Sequence, residues 1–396
     1  MSKIDELLEK MCPEGVEWKR IGDICKRIVS GGTPSTGRRE FYGGSIPWLR
    51  TQEVNWSDIY STSVTITEDG LRQSSATWIP ENCVIVAMYG ATAAKVAVNR
   101  ISLTTNQACC NLQINESTAD FKYVYYWLCN EYLNLKSLGE GSQSNINGQK
   151  VKNYPIPIPP LPIQEEIVKI LDSFTALEAE LEAELEARSA QYEYYRNKLL
   201  AFEGEDVEWK SLGEVGKVCM CKRIFKDQTQ SSGDIPFYKI GTFGKKPDAF
   251  ISSALYSDFK KRFSFPKRGD VLISASGTIG RTVVYDGEDA YFQDSNIVWI
   301  DNDEKFVLNK FLMHYYQVVR WQTDTGGTIS RLYTDNLKKA RIPIPPLAEQ
   351  ERIVTILDQF DALVNDISKG LPAEIAARRQ QYEHYRNRLL TFKQKQ

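Results

Sequence analysis

The residue types with most chemical potential in this chain are polar and basic side chains gathered in glycine-rich loops. The first half has Ser30, Thr33, Ser35, Arg38 and Arg39 around Gly31, Gly32 and Gly37, then Arg50 and Gln52, Lys95 after Gly90, and Gln143 and Asn145. The second has Lys222, Arg223, Lys245, Lys246, Thr278, Arg281, Ser330 and Arg331. Arginine forks match guanine edges, Asn and Gln match adenine, and lysine matches phosphate oxygens. Glycine lets a backbone approach a duplex closely. Taken singly, each loop also fits an ordinary solvated turn; the expectation of nucleic-acid contact rests on two matched sets.

Catalytic patterns are scarce. The two histidines, His314 and His384, fall in expected helices with no obvious partner. Neither a Walker A sequence nor a dinucleotide-binding glycine fingerprint occurs, nor the Asn/Asp-Pro-Pro-aromatic run an adenine methyltransferase needs. Pro247-Asp248 followed by Asp258-Phe259-Lys260 loosely fits a Mg²⁺-dependent nuclease, in which two carboxylates hold the metal and a lysine activates water. That pattern occurs in one half only. The eight cysteines show no CxxC spacing, so reduced thiols in a cytoplasmic protein are expected and no metal site is.

The elements that position these loops are duplicated. Ile156 to Phe174 reads IPIPPLPIQEEIVKILDSF and Ile342 to Phe360 reads IPIPPLAEQERIVTILDQF, with 14 of 19 positions identical at an offset of 186. YEYYRNKLLAF from Tyr192 and YEHYRNRLLTF from Tyr382 match at an offset of 190. The second copy has therefore gained four residues, about one helical turn. Val16-Glu17-Trp18-Lys19 recurs as Val207-Glu208-Trp209-Lys210, Ile46-Pro47-Trp48 resembles Ile235-Pro236-Phe237, and Gly90-Ala91-Thr92 with Lys95 is echoed by Gly277-Thr278 with Arg281. Elsewhere the halves diverge, as two readers of different targets would.

Apolar residues after each proline block fall at alternating steps of four and three, a coiled-coil seam. Ile167, Phe174, Leu181 and Leu199 in the first copy, and Ile353, Phe360, Ile367 and Leu389 in the second, are expected to pair the helices. Ile163 to Phe202 as one helix would be roughly 60 Å long. Gly370 and Pro372 predict a kink or break in the second copy. The seams suit an internal antiparallel pair, with dimerisation of two chains as the alternative. Leu177 to Arg188 reads LEAELEAELEAR, a tetrapeptide used three times that could serve as an adjustable ruler or simply be a solvated face. Ile4, Leu8 and Met11 repeat the spacing of Tyr195, Leu199 and Phe202, so the start of the chain looks like the tail of a helix repeat.

Cys83 to Tyr89, Lys95 to Val98, Asp270 to Ala275 and Thr282 to Tyr285 read as strands; Phe121 to Leu135 and Asn309 to Arg320 read as helices. With 396 residues, 42% of them hydrophobic, the chain can bury several cores. Its net charge of −2 is unevenly spread. Leu161 to Asp206 carries 4 basic and 12 acidic residues, whereas Val207 to Pro345 carries 21 and 16. Most of the negative charge thus lies on the first helical segment. No apolar run reaches membrane-spanning length, and Met1 to Lys10 is too polar for a signal peptide.

Gly-Thr-Pro ahead of Ile-Pro-Trp, the run from Gly141 through Asn145-Ile146 to Asn153-Tyr154, and IPIPPLxxQExIVxILDxF closed by YEYYRNKLLxF resemble the specificity subunit of type I restriction-modification systems over essentially the whole chain. The resemblance implies an α+β protein: two mixed α/β target recognition domains separated by two long antiparallel coiled-coil helices, in a pseudo-two-fold circular order. The expected segments are a helix stub with the first recognition domain at 1–160, a spacer helix at 161–203, the second recognition domain at 204–345, and a second helix at 346–396. It further implies a non-catalytic, cytoplasmic subunit that reads a bipartite double-stranded DNA site. Such a subunit docks two methyltransferase subunits and, through them, restriction subunits. S-adenosylmethionine, ATP and Mg²⁺ are expected on those partners and no cofactor on this chain. The rival readings are a coiled-coil protein adaptor and the Mg²⁺-dependent nuclease.

Overall fold

The structure is a computed structural model describing residues 3–139, 145–202, 204, 206–323 and 331–395. The chain divides into two units. The first comprises Met1–Leu181 and Ile375–Gln396, and the second Glu182–Glu374.

In the first unit a five-stranded sheet runs in the order Cys25–Ser30, Cys109–Ile114, Val84–Ala87, Val96–Asn99, Asp58–Ile59. A three-stranded sheet places Tyr42–Leu49 between Thr65–Ile66, antiparallel, and Thr104–Thr105, parallel. Val84–Ala87 is buried along its whole length, which explains its unbroken apolar run. Asp120 caps the helix Phe121–Asn130 by accepting from Lys122 N and Tyr123 N. The helix expected to reach Leu135 stops at Glu131 and restarts at Tyr132–Ser137.

The second unit repeats this plan with different residues. Its four-stranded sheet runs Lys217–Cys219, Ile297–Asp301, Val271–Ser274, Thr282–Val284. Its three-stranded sheet places Ile235–Tyr238 between antiparallel Phe250–Ile251 and parallel Tyr291–Phe292. Asn309–Tyr315 is the counterpart of the first unit's capped helix and ends five residues before the expected Arg320. A short ribbon closes each unit at the same register: Trp18 faces Pro157, and Trp209 faces Pro343.

Each unit is also clamped to its own piece of long helix in the same way. Leu161–Leu199 is one continuous helix whose first 21 residues belong to the first unit. Gln164, fully buried, accepts from Asp120 N at 2.9 Å and donates to Pro159 O and Thr118 O. Gln350, equally buried, accepts from Leu308 N at 2.8 Å and donates to Pro345 O and Phe306 O. One amide thus satisfies three backbone groups that burial would otherwise leave unpaired. Two turns on, Asp172 accepts from Lys122 and Tyr126, and Asp358 from Lys310 and His314. His314 therefore has a partner that its sequence context did not reveal.

The expected pairing residues split into groups. Ile167 and Ile353 are buried within the cores of their units, beside Ile163 and Leu171 or Val354 and Leu357. Phe174 packs on Tyr382 and stacks on Tyr385, with ring centroids 6.4 and 5.4 Å apart. Glu178 bonds Arg379 in the same unit, and Ile170 and Phe174 share a groove with Leu389. Advancing from 170 to 178 thus meets residues falling from 389 to 379, so these segments run antiparallel. In the second unit Phe360 stacks on Tyr192 and Tyr195. Leu181, Leu199 and Leu389 are half-buried.

Ile367 is a correction: it is 85% exposed and pairs nothing. The second long helix is not continuous but forms Leu347–Asn365 and Leu371–Leu389, with Ile367 in the turn between them. The four additional residues of the second copy are taken up here rather than as an extra helical turn. Asp366 accepts from Ser368 N and Lys369 N, and Gly370 N returns to Asp366 O at 2.8 Å. A Cβ on Gly370 would stand 2.5 Å from Ala362 O and 2.7 Å from Leu363 O, so the turn closes only on glycine.

The chain ends meet in the first unit. Val16 bridges Gln394, with Val16 N on Lys393 O at 2.8 Å and Lys395 N on Val16 O at 2.9 Å. The stub helix Lys3–Met11 buries Ile4 and pairs Lys3 with Glu166. In the second unit the corresponding step, from Leu199 to Val207, is covalent. The first unit makes the same join by hydrogen bonds, which gives the repeat a circular order.

Candidate nucleic-acid interface

The sheets of each unit bring distant loops to one place. In the first, the turn Gly90–Thr92 at the end of Val84–Ala87 lies against the turn Thr51–Glu53. Asn145 Oδ1 accepts from Gly90 N at 3.1 Å, and Ile146 N donates to Met88 O. Arg50, Gln52, Lys95 and Asn145 are thereby gathered. Ser30 and Thr33 join them through the backbone. Gly32 N donates to Thr105 O, Trp48 Nε1 donates to Gly32 O at 2.9 Å, and Thr33 bonds Gln107. A Cβ on Gly32 would stand 2.1 Å from Ala76 N, so glycine is required for that approach. Asn106 N donates to Leu49 O, placing Gln107 next to Arg50.

The second unit has the same framework. Leu332 N donates to Ala275 O, and Ser276 bridges Arg331, so Arg331 stands where Asn145 stands in the first unit. Thr278 lies in the turn after Val271–Ser274. Ser274 N donates to Arg281 O as Ala87 N donates to Lys95 O. Tyr291 Oη donates to Lys222 O at 3.0 Å, in the place of the Trp48–Gly32 bond. Arg223 Nε donates to Asp294 at 2.8 Å, in the place of Thr33–Gln107. Gln293 N donates to Tyr238 O as Asn106 N does to Leu49 O. A cavity of about 210 Å³ beside this cluster is lined by Met220, Ser295, Arg331 and Tyr333 among others.

Several candidates are engaged within the fold. Arg50 bonds Ser63 and pairs with Glu53. Lys95 donates to Asn55 at 2.7 Å and lies 4.2 Å over the ring of Trp56. Arg281 donates to Phe243 O at 2.9 Å. Arg38 is engaged by Glu40, Gln73 and the ring of Phe41, with Ser35 and Arg39 exposed on the same loop. Lys222, Lys245 and Lys246 are exposed, Lys222 lying 5.3 Å over Phe263. Gln143 and Ser330 lie outside the described residues.

Sequence reasoning missed Gln107, Asp294 and Lys239, the counterpart of Arg50, which pairs with Asp248 at 2.8 Å. Gln107 and Asp294 acquire their places from pairing some seventy residues away in sequence, with Thr33 and Arg223, and Lys239 from the strand it follows. It also missed Gln164, Gln350, Asp172 and Asp358, although all four lie at identical positions of the duplicated block.

The nuclease pattern does not converge. Asp248 pairs with Lys239, Asp258 with Arg262, and Lys260 with Tyr256 and Asp289. Among the described residues no group of three His, Cys, Asp or Glu side chains could hold a metal ion. The eight cysteines are free. Burial raises the Cys109 thiol far above its ordinary value and pushes Cys110 up to about 12, which leaves both unreactive. Among the described residues no helix is long and apolar enough to cross a membrane.

The chain is similar to known proteins along both halves. The family described as type I restriction modification DNA specificity domain matches residues 13–187 and again 204–377. A Haemophilus influenzae protein, provisionally named type I restriction enzyme specificity subunit S.HindORF215P, is 56% identical over 279 residues, 68% of this chain and 72% of its own. The Escherichia coli EcoR124I/EcoR124II specificity subunit is 36% identical over 292 residues, 68% of this chain and 70% of its own. Among solved structures, the specificity subunit from M. genitalium has a TM-score of 0.59 at 14% identity, covering 95% of this chain and 96% of that one. At that identity the likeness is one of fold. Two matched specificity domains on two copies of one framework place this chain in the family of DNA specificity subunits of type I restriction-modification systems.

Proposed function

We propose that each unit reads one half of a bipartite duplex site through its loop cluster, and that the chain carries no catalytic centre of its own. The observation that carries this reading is the shared framework. Backbone bonds fix the same loops in both units, while the side chains on them differ: Thr33 against Arg223, Gln107 against Asp294, Asn145 against Arg331. A constant scaffold with a variable surface is what two readers of different sequences require. The exposed Lys222, Lys245 and Lys246 supply phosphate contacts that set register, and the clustered polar side chains select bases.

In this reading two methyltransferase subunits dock on the chain and bring restriction subunits with them. S-adenosylmethionine, ATP and Mg²⁺ reside on those partners. Target and partners place the complex with the chromosome, in the cytoplasm.

The test is an exchange of Val207–Arg341 for the corresponding segment of another family member, with methylome sequencing of a host carrying the complex. One half-site should change and the other stay. A change in both halves overturns modular reading. If the complex retains no duplex at all, the chain is a protein adaptor instead.

A further inference from the structure

We propose that Arg223 is the residue of the second unit that selects a guanine, and that Asp294 is its positioning residue. This rests on the reading above and deepens it.

Three features single out Arg223 from the other basic residues. It stands at a fixed point of the framework, one residue after the carbonyl gripped by Tyr291, as Thr33 comes one residue after the carbonyl gripped by Trp48. In both units that residue bonds a polar side chain on the loop after the parallel strand of the small sheet, Gln107 or Asp294. The slot is thus built twice and filled differently, as a position that determines specificity would be. Second, the pair is half outside the protein: the Arg223 side chain is 61% exposed and that of Asp294 only 15%. Asp294 also accepts from Ser295 Oγ at 3.3 Å, so the carboxylate is held and the guanidinium projects. Third, Asp294 takes the Nε–H, and among the described residues both Nη groups are left to meet an acceptor.

Charge decides which acceptor. A guanidinium beside a carboxylate forms a pair with no net charge, and the carboxylate repels a phosphate approaching the same fork. The O6 and N7 of guanine are neutral acceptors at the spacing a two-pronged donor matches. Held by Asp294, the fork gives up little rotamer freedom on binding. Lys239, Lys245 and Lys246, single-point donors, lack this selectivity.

The experiment uses the assembled complex with its methyltransferase subunits. Methylome sequencing of Arg223→Ala should show loss of discrimination at one guanine of one half-site, the other half-site being unchanged and serving as the control for assembly. In binding assays on synthetic duplexes, replacing that guanine by 7-deazaguanine should weaken the wild-type complex about 10- to 100-fold. It should weaken Arg223→Ala no further. Asp294→Asn should keep the preference but narrow it, and Arg223→Lys should not restore it. An unaltered motif in Arg223→Ala overturns the proposal while leaving bipartite reading intact, as does a second half-site without guanine. Should Arg223→Ala not assemble, a 7-deazaguanine scan of the wild-type complex that finds no sensitive guanine in one half-site overturns it equally. A wild-type complex that methylates no bipartite site would instead refute the underlying reading.

Discussion

His314 donates from Nε2 to Asp358 at 2.8 Å in the second unit, where in the first Tyr126 donates to Asp172 at 2.7 Å. The two positions are equivalent, so the clamp between recognition fold and helix has been built with an ionisable donor in one copy and a neutral one in the other. Burial pushes the His314 imidazole below its ordinary value, against the opposing pull of Asp358 and Asp361, while Lys310 lowers it further. Burial alone would raise the Asp358 carboxyl, but its bonds from Lys310 and His314 hold it below the usual range.

The folded protein resists a proton on His314 that the unfolded chain accepts near pH 6.5. The stability contributed by the neutral ring is fully present above that value and lost as pH falls below it. Asp358, depressed already, holds its charge through that window. His314→Tyr, which copies the first unit, should flatten the fall in Tm as pH drops below about 6.5. Melting curves at stepped pH measure it, and identical slopes for the two proteins would dismiss His314 as the source.

Gln164 and Gln350 should be among the most sensitive polar positions in the molecule. Replacing Gln350 by Leu leaves Leu308 N, Phe306 O and Pro345 O without their partner, at a cost of about 1–3 kcal/mol for each group that cannot find water. The expected result is a large drop in Tm for either Gln→Leu variant. In hydrogen exchange the Asp120 amide should lose protection in Gln164→Leu, and the Leu308 amide in Gln350→Leu. Unchanged exchange at those amides would show that the glutamines are not the clamp.

The duplication makes the architecture legible in the sequence. The helices, the strands around Val84 and Val271, and the break at Gly370 all emerge from local pattern and from comparing the copies. Heptad spacing could not say which neighbour an apolar face meets. Ile163, Ile167 and Leu171 are buried in the core of their unit, whereas Ile170 and Phe174 turn toward Tyr385 and Leu389. Two apolar faces on one helix blur into a single seam when read as a string. Ile367 fell on that seam by count, but the turn that Asp366 and Gly370 close removes it from the helix altogether. The candidate interface is legible as composition, not as pairing. Thr33–Gln107 and Arg223–Asp294 are set by sheet register, which no local signal reports.

Gly370 offers a direct check on that turn. Gly370→Ala must push the Cβ away from Ala362 O, Leu363 O and Asp366 O, all within 2.8 Å, and all are backbone atoms that cannot swing aside. A loss of about 1–3 kcal/mol is expected, read by thermal or urea unfolding. Gly37→Ala, where nothing lies within 4 Å of the new methyl, should be neutral and serves as the control. Equal stability of both variants would mean that the helix break tolerates rearrangement.

The tetrapeptide run Leu177–Arg188 offers the last test. The division between the units falls inside it, after Leu181, and the helix is continuous through it. Its glutamates are largely solvated; Glu178 bonds Arg379, and Glu184 pairs with Arg188 one turn on. Deleting Leu181–Glu184 removes about 6 Å of helix and rotates the remainder of the rod by only about 40°, because four residues are close to one full turn. Phe174, Tyr192 and Tyr195 keep their own neighbours. The recognised site should then lose roughly one to two base pairs from the gap between its halves, at about 3.4 Å per pair, with both half-sites unchanged. Methylome sequencing reads gap and halves together. Retained methylation with the original gap would show that this helix does not set the spacing, and that the repeats are no more than a solvated stretch of rod.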